Sequence, residues 1–318
     1  MPLSRHGTQC VHSGISTETV GTIHHRFPPV RPYNAITKKT SPTIQFEFYP
    51  PKTEEGAASL QIVHSKLAKL NPDFFSVTFG AGGSTRDKTF ATVIDIQAKG
   101  ISAAPHLSCV ASTKDNIRAI LKDYRDHGIT KIVALRGDLP SGMMSAGEFR
   151  YANELVEFIR QETGDHFQIH VAAYPEVHPQ AASGVEDFKN FKRKVEAGAN
   201  AAITQYFYNA EAYFHFVDTC EKNGITIPIV PGIMPITQYS QLFRFSEMCG
   251  ADIPRWLRKR LESFGDDKEA IQAFGLDVVS GLCQRLLDGG APGLHFYTMN
   301  QSAPILAILE NLHIKPRD

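Results

Sequence analysis

From Thr43 onward the chain keeps one beat: a short apolar segment, then a longer amphipathic one. Strand-like segments end near Glu47 (TIQFEF), Thr78 (FFSVT), His106 (ISAAPH), Arg136 (KIVALR), Tyr174 (QIHVAAY), Gln205 (AAITQ), Pro231 (IPIVP) and Tyr297 (LHFYT). Segments with apolar residues at helical spacing lie between them, over 54–70, 86–99, 113–127, 147–163, 185–198 and 209–223. In the first, Ala57, Leu60, Val63, Leu67 and Leu70 recur at helical spacing. Gly100, Gly128, Gly198 and Gly224 stand where C-terminal helix caps are expected. Strand alternating with helix predicts a parallel sheet, because parallel neighbours need a long crossover between them. Eight such strands match a (β/α)8 TIM barrel, a fold of roughly 250 residues. An open doubly wound sheet is the alternative. It is disfavoured because the first units carry no dinucleotide fingerprint: in GAGGST, Gly80 and Gly82 suit G-x-G, but the third glycine position is Thr85. The stretch 250–290 is longer than one unit requires, and an extra helix (PRWLRKRLESF, 254–264) is expected there before the last barrel helix.

Composition narrows the function classes. The 318 residues include 33 Lys+Arg and 33 Asp+Glu, so the formal charge is zero, which argues against a nucleic-acid partner. No run of about 18 uninterrupted apolar residues occurs, so no membrane span is expected. The five cysteines, Cys10, Cys109, Cys220, Cys249 and Cys283, are odd in number, widely spaced and free of any C-x-x-C. That pattern is neither a disulfide framework nor a zinc site, and a reducing, cytoplasmic location is expected. Ahead of the beat, up to about Gln45, a single acidic residue (Glu18) stands against five basic ones (Arg5, Arg26, Arg31, Lys38, Lys39). Its composition weakly resembles a transit peptide; a disordered extension, or a start codon placed too far upstream, is the favoured reading of residues 1–42. Residues 43–318 are expected to form a single (β/α)8 domain, the catalytic one if the chain is an enzyme.

Barrel enzymes place their chemistry at the C-terminal ends of the strands. The residues expected there are Glu47, Thr78, His106, the Arg136-Gly137-Asp138 turn, Tyr174 with Glu176 and His178, Gln205 and Tyr297. So many polar groups around one mouth are costly unless they pair or hold a ligand. Glu47 sits among Phe46, Phe48 and Tyr49. Two readings stand side by side: a desolvated carboxyl kept protonated as a general acid, or a carboxylate paired with a nearby cation such as Arg136. Gly137 permits close backbone approach of a planar or phosphate ligand. Glu176 and His178 lack a third ligand at any convincing spacing, so no metal is expected. Lys189, Lys192, Arg193 and Lys194 are read either as a solvated helix face or as a pyrophosphate site.

The stretches FEFYPPK, SVTFGAGGS, APHLSC, IVALRGDLP, VAAYPEVHP, KRKVEAGAN, AITQYFY, IVPGIMP and HFYTMN, in this order over about residues 43–313, resemble the compact bacterial type of methylenetetrahydrofolate reductase. The resemblance implies a barrel that binds FAD without a Rossmann fold. It implies ping-pong transfer of hydride from NAD(P)H, with NADH favoured, through FAD to 5,10-methylenetetrahydrofolate. The product, 5-methyltetrahydrofolate, would supply methyl groups for methionine synthesis. Carried over by matched motif, Glu47 resembles the general acid. Asp138 resembles the residue between flavin and folate. Thr78 and Phe245 resemble nicotinamide contacts, Gln205 the residue touching whichever of folate or nicotinamide occupies the shared face, and Gln241 a folate contact, with Tyr297 and Gln301 also on the substrate side. FAD would be held by Phe79, Ala81, His106, Arg136, Gly137, Asp138, Tyr151, Ala152, Tyr174, His178, Ala181, Asp187, Asn190, Arg193 and Lys194. The chain departs from the bacterial pattern at Gln301, where Arg often meets the folate glutamate tail, and in the 141–150 loop. A homo-oligomer is expected.

Overall fold

The computed structural model describes residues 42–80, 86–137 and 147–315. Apart from Pro42, the expected N-terminal extension lies outside them. Nine strands run parallel in one sheet: β1 (Thr43–Phe48), β2 (Phe74–Val77), β3 (Ala103–Ser108), β4 (Lys131–Leu135), β5 (Gln168–Ala173), β6 (Ala201–Thr204), β7 (Ile229–Val230), β8 (Gly232–Ile233) and β9 (Gly293–Tyr297). Their order is β7-β6-β5-β4-β3-β2-β1-β9-β8. β7 and β8 flank Pro231 and together occupy the seventh barrel position. Ile229 and Val230 pair with β6, while Gly232 and Ile233 pair with β9, and that change of partner carries the nearly closed ring round from β6 to β9. The predicted strand IPIVP is shorter than expected for a physical reason: Pro228 and Pro231 have no N–H to give to a ladder.

Helices α1 (Glu54–Ala68), α2 (Arg86–Ala98), α3 (Lys114–Asp126), α4 (Ala152–Thr163), α5 (Gly184–Glu196) and α6 (Ala210–Lys222) join the first seven barrel positions. Three helices, α7 (Tyr239–Cys249), α8 (Arg255–Ser263) and α9 (Lys268–Asp288), separate β8 from β9, and α10 (Ala303–Asn311) follows β9. α8 is the expected extra helix. Caps set several starts; the Thr53 hydroxyl accepts from Gly56 N at 3.1 Å, and Ser183 does the same from Glu186 N at 3.2 Å. The helix expected from residue 147 begins instead at Ala152. Gly147 bridges to Ser112, and Glu148 N donates to the Ser112 carbonyl at 3.0 Å, so this backbone is engaged elsewhere. Among the described residues no helix is long and apolar enough to cross a membrane.

Strand alternation divides the core in two. Phe46, Phe75, Leu107, Ile132, Ala134, Ile169, Val171, Ala202 and Phe296 belong to the large cluster shared with the helices. Phe74, Ala104, Val133 and Ile203, one residue out of phase, form a small separate cluster. Period two therefore assigns the first set to the outer face and the second to the barrel interior. Each fully buried Phe of the outer layer contributes on the order of 2 kcal/mol by leaving water. The interior is short of apolar groups: Gln45, Ser76, His106, His170 and His295 share its phase, and all are buried.

Candidate active site at the barrel mouth

β1 ends by presenting Glu47 inward, and its neighbours in register are Ser76 of β2 and Tyr297 of β9. The Glu47 carboxylate meets two imidazoles. Its Oε2 lies 3.3 Å from Nε2 of His295 and 3.3 Å from Nε2 of His106. The first contact is a hydrogen bond. The second is off-line, and His106 Nε2 is buried without a hydrogen-bond partner. Burial raises the Glu47 pKa, but the two imidazoles outweigh it and bring the carboxyl down to about 2. Burial lowers that of His295. The structure gives Glu47 partners that the sequence did not name. Its partners are histidines, and Arg136 instead turns its guanidinium to the Gly137 carbonyl (3.2 Å) and to Gln180 Oε1.

The turn after β4 is shaped by close approach. Gly137 has φ +80°, and a Cβ there would fall 1.8 Å from the Ser108 hydroxyl oxygen. That hydroxyl donates to the Arg136 carbonyl at 2.9 Å. Asp138 and Ala81 lie outside the described residues. Thr78 and Phe79 follow β2 directly; Thr78 N donates to the Phe48 carbonyl at 2.8 Å and its own carbonyl accepts from Thr89 at 2.9 Å. Tyr151 is exposed at the N-terminus of α4, and Ala152 is that helix's first residue.

Beyond β5, Tyr174 meets the His178 ring edge-on, with centroids 4.5 Å apart. His178 Nδ1 accepts from Gln180 N at 3.0 Å, its N–H donates to Asp187 Oδ2 at 2.9 Å, and its carbonyl accepts from Ala181 N at 2.9 Å. The basic run on α5 divides. Lys189, Lys192 and Arg193 pair with Glu186 or Glu196 at 3.7, 3.8 and 3.4 Å. Asn190 Oδ1 accepts from Arg193 at 2.6 Å. Lys194 turns inward, donates to the Ala172 carbonyl of β5 at 2.6 Å, and burial lowers its pKa to about 8 while Asp187 opposes the shift. The four cations therefore divide: three pair on the surface and Lys194 is aimed at the barrel.

Gln205 follows β6 and lines a cleft with Tyr174, Glu176, Tyr206 and Cys249. Its Oε1 accepts from Tyr206 N at 3.0 Å. Glu176 Oε2 accepts from Asp252 N at 2.8 Å. Among the described residues no three His, Cys, Asp or Glu side chains gather as metal ligands. Gln241 and Phe245 lie half-buried on α7, with Phe245 packed against the core. The Tyr297 hydroxyl is spent on the Thr204 carbonyl at 2.8 Å, so it is a strut between β9 and β6 rather than a free donor. Gln301 is exposed just past β9.

Sequence reasoning missed His295 and Gln45. Each lies two residues before a residue it did choose, Tyr297 and Glu47, and therefore on the same face of its strand. Alternation would have found them.

The methylenetetrahydrofolate reductase family model matches residues 33–313. The 5,10-methylenetetrahydrofolate reductase of Escherichia coli is 42% identical over 274 residues, covering 86% of this chain and 91% of that one. Methylenetetrahydrofolate reductase (NADH) 1 of Arabidopsis thaliana is 37% identical over 292 residues, covering 87% of this chain and 49% of the plant protein. Among solved structures, an uncharacterized Clostridium thermocellum protein that binds two copies of 5-methyl-5,6,7,8-tetrahydrofolic acid superposes with a TM-score of 0.60 at 19% identity, over 85% of this chain and 93% of that one. That last likeness concerns the fold.

Proposed function

Because this chain belongs to the methylenetetrahydrofolate reductase family, whose reaction is the reduction of methylenetetrahydrofolate, we propose that its barrel mouth carries hydride from NADH to 5,10-methylenetetrahydrofolate by way of FAD, in two alternating half-reactions. FAD, when bound, supplies the two-electron carrier that the side chains lack. The chain's own residues bind, orient and protonate. The observation that carries the reading is the Glu47 carboxyl held at the mouth between His106 and His295. A side chain at that place can move a proton to a substrate nitrogen.

The residues present fit the cofactor. Gly137 leaves a side-chain-free backbone beside Ser108, where a flat ring could lie close. His106 Nε2 stands 3.3 Å from Glu47 Oε2 with no in-line hydrogen bond. Lys194, half-discharged near pH 8, would regain its charge beside a phosphate. Arg136 offers a guanidinium at the same rim. Thr78, Phe79, Tyr174, His178, Ala181, Asp187, Asn190 and Arg193 are assigned to the same cofactor and nicotinamide, with Ala81, Tyr151 and Ala152. Gln205, Gln241, Phe245, Tyr297 and Gln301 are assigned to the face shared by nicotinamide and folate. Asp138 is assigned to the gap between flavin and folate.

Anaerobic stopped-flow absorbance tests the reading. The purified protein should be yellow, NADH should bleach it, and methylenetetrahydrofolate should restore the colour. A colourless protein that does not take up added FAD would refute the cofactor assignment.

A further inference from the structure

A row of polar side chains runs behind Glu47 down the barrel interior. Lys131 Nζ, at the start of β4, pairs with Asp73 Oδ1 at 3.7 Å. Gln45 Nε2 donates to Asp73 Oδ2 at 3.5 Å. Gln45 Oε1 faces Nδ1 of His295 at 3.1 Å, and His295 Nε2 faces Glu47 Oε2 at 3.3 Å.

Chemistry orders this row. An ion-paired Asp73 can only accept, so Gln45 must turn its NH2 to Asp73 and its carbonyl oxygen to His295. An acceptor at 3.1 Å requires the proton of His295 to sit on Nδ1. A neutral imidazole then shows Glu47 a bare Nε2. A carboxylate opposite it would set lone pair against lone pair at 3.3 Å. Only a proton between the two atoms turns that contact into a bond.

We propose that His295 is a positioning residue: with its tautomer set by Gln45, it holds one proton on the Glu47–His295 pair, ready for the folate half-reaction. The assignment rests on the reductase reading above. Exclusion of water by a bound substrate favours the uncharged form of the pair, carboxylic acid beside imidazole, over the ion pair. The Glu47 O–H proton then passes to the folate nitrogen whose bond to the bridging carbon breaks. That nitrogen also takes the bond's electron pair, and the carbon is left as an iminium. Glu47 is left as a carboxylate, and water supplies the next proton after product leaves. The groups facing His295 are Gln45 and Glu47 from β1, His106 from β3, His170 from β5 and Tyr297 on its own strand.

Nitrogen-15 NMR of the histidine rings in the full chain, with His295 identified by loss of its signals in His295→Gln, reads the tautomer without turnover. The expected state has Nδ1 protonated throughout the neutral range. A neutral ring protonated on Nε2 overturns the proposal. In separate half-reactions, His295→Gln should slow folate reduction by about 100-fold and move its alkaline fall to lower pH, while flavin reduction by NADH is unchanged. An unmoved pH profile overturns the assignment. Gln45→Met, which keeps the volume and removes the acceptor, should mix the two tautomers and slow the same half-reaction; retention of a pure Nδ1–H ring with normal folate kinetics overturns it as well. A chain that reduces no folate at any pH refutes the reductase reading. A chain that reduces folate with an Nε2–H His295 refutes only this one.

Discussion

His295 and Glu47 are 248 residues apart in the chain, and a nitrogen of one lies 3.3 Å from an oxygen of the other. The pairing of β9 with β1 does this, placing Tyr297 opposite Glu47 and His295 opposite Gln45. A carboxyl at this place can be supplied with a proton by its neighbour, which a lone surface glutamate cannot.

Replacing that carboxyl should separate the two half-reactions. Glu47→Gln keeps the shape and removes the titrating proton. Flavin reduction by NADH should continue, and folate reduction should fall by about 10²–10⁴-fold, the range expected for loss of a general acid. Rapid-mixing absorbance with each substrate in turn is the check. Loss of both steps together would mean that Glu47 has another role.

Gly137→Ala should cost cofactor before it costs fold. The new methyl would fall 1.8 Å from the Ser108 oxygen at a backbone φ of +80°. Strain of this kind costs on the order of 1–3 kcal/mol. The flavin-to-protein absorbance ratio after gel filtration should drop, and Ser108→Ala in the same chain should restore part of it. A variant that keeps a full complement of flavin would show that the turn is not a cofactor cradle.

Lys194 should make FAD affinity fall as pH rises. Its pKa in the protein lies near 8, so it is charged below that pH and neutral above it. A phosphate favours the charged form, so affinity should be high at pH 7 and weaken through pH 8 and above. Lys194→Met should bind FAD more weakly at pH 7 and lose that pH dependence. Titration of apoprotein by fluorescence quenching reads both.

Acid stability should depend on His64. It is packed edge-on against Phe48, both ring nitrogens lack a partner, and burial lowers its pKa to about 4. The unfolded chain therefore binds this proton more readily between pH 6.5 and 4. Stability should fall as pH drops through that window, by up to roughly 3 kcal/mol, and level off below it. His64→Phe should flatten the fall in Tm between pH 7 and 5. His170, lowered to about 3 by burial, adds a similar slope that remains in the variant.

Much of the mouth is legible in sequence because a barrel strand has a fixed polarity. Once FEF, ISAAPH and KIVALR are read as strands, Glu47, His106 and Arg136 must lie at or near their C-terminal ends. The partners of those residues are not legible. Arg136 was as good a candidate for Glu47 as any histidine, since nothing local says that it turns to Gly137 and Gln180. Lys194 and its neighbours look alike in KRK, and only the packing of α5 on β5 shows which of them donates to the Ala172 carbonyl.

The amino-acid sequence alone determined the beat of strands and helices, favoured a barrel of eight such units over an open sheet, and marked the residues standing at its rim. Those follow from local rules: hydrophobic period, helix caps, and the polarity of parallel strands. The tertiary structure decided which atoms meet. The Glu47–His295 contact, the amide of Gln45 behind it and the inward Lys194 each depend on strand register and helix placement across distant parts of the chain. Register is a property of the whole strand ring, in which one residue's slip would turn every inward side chain outward.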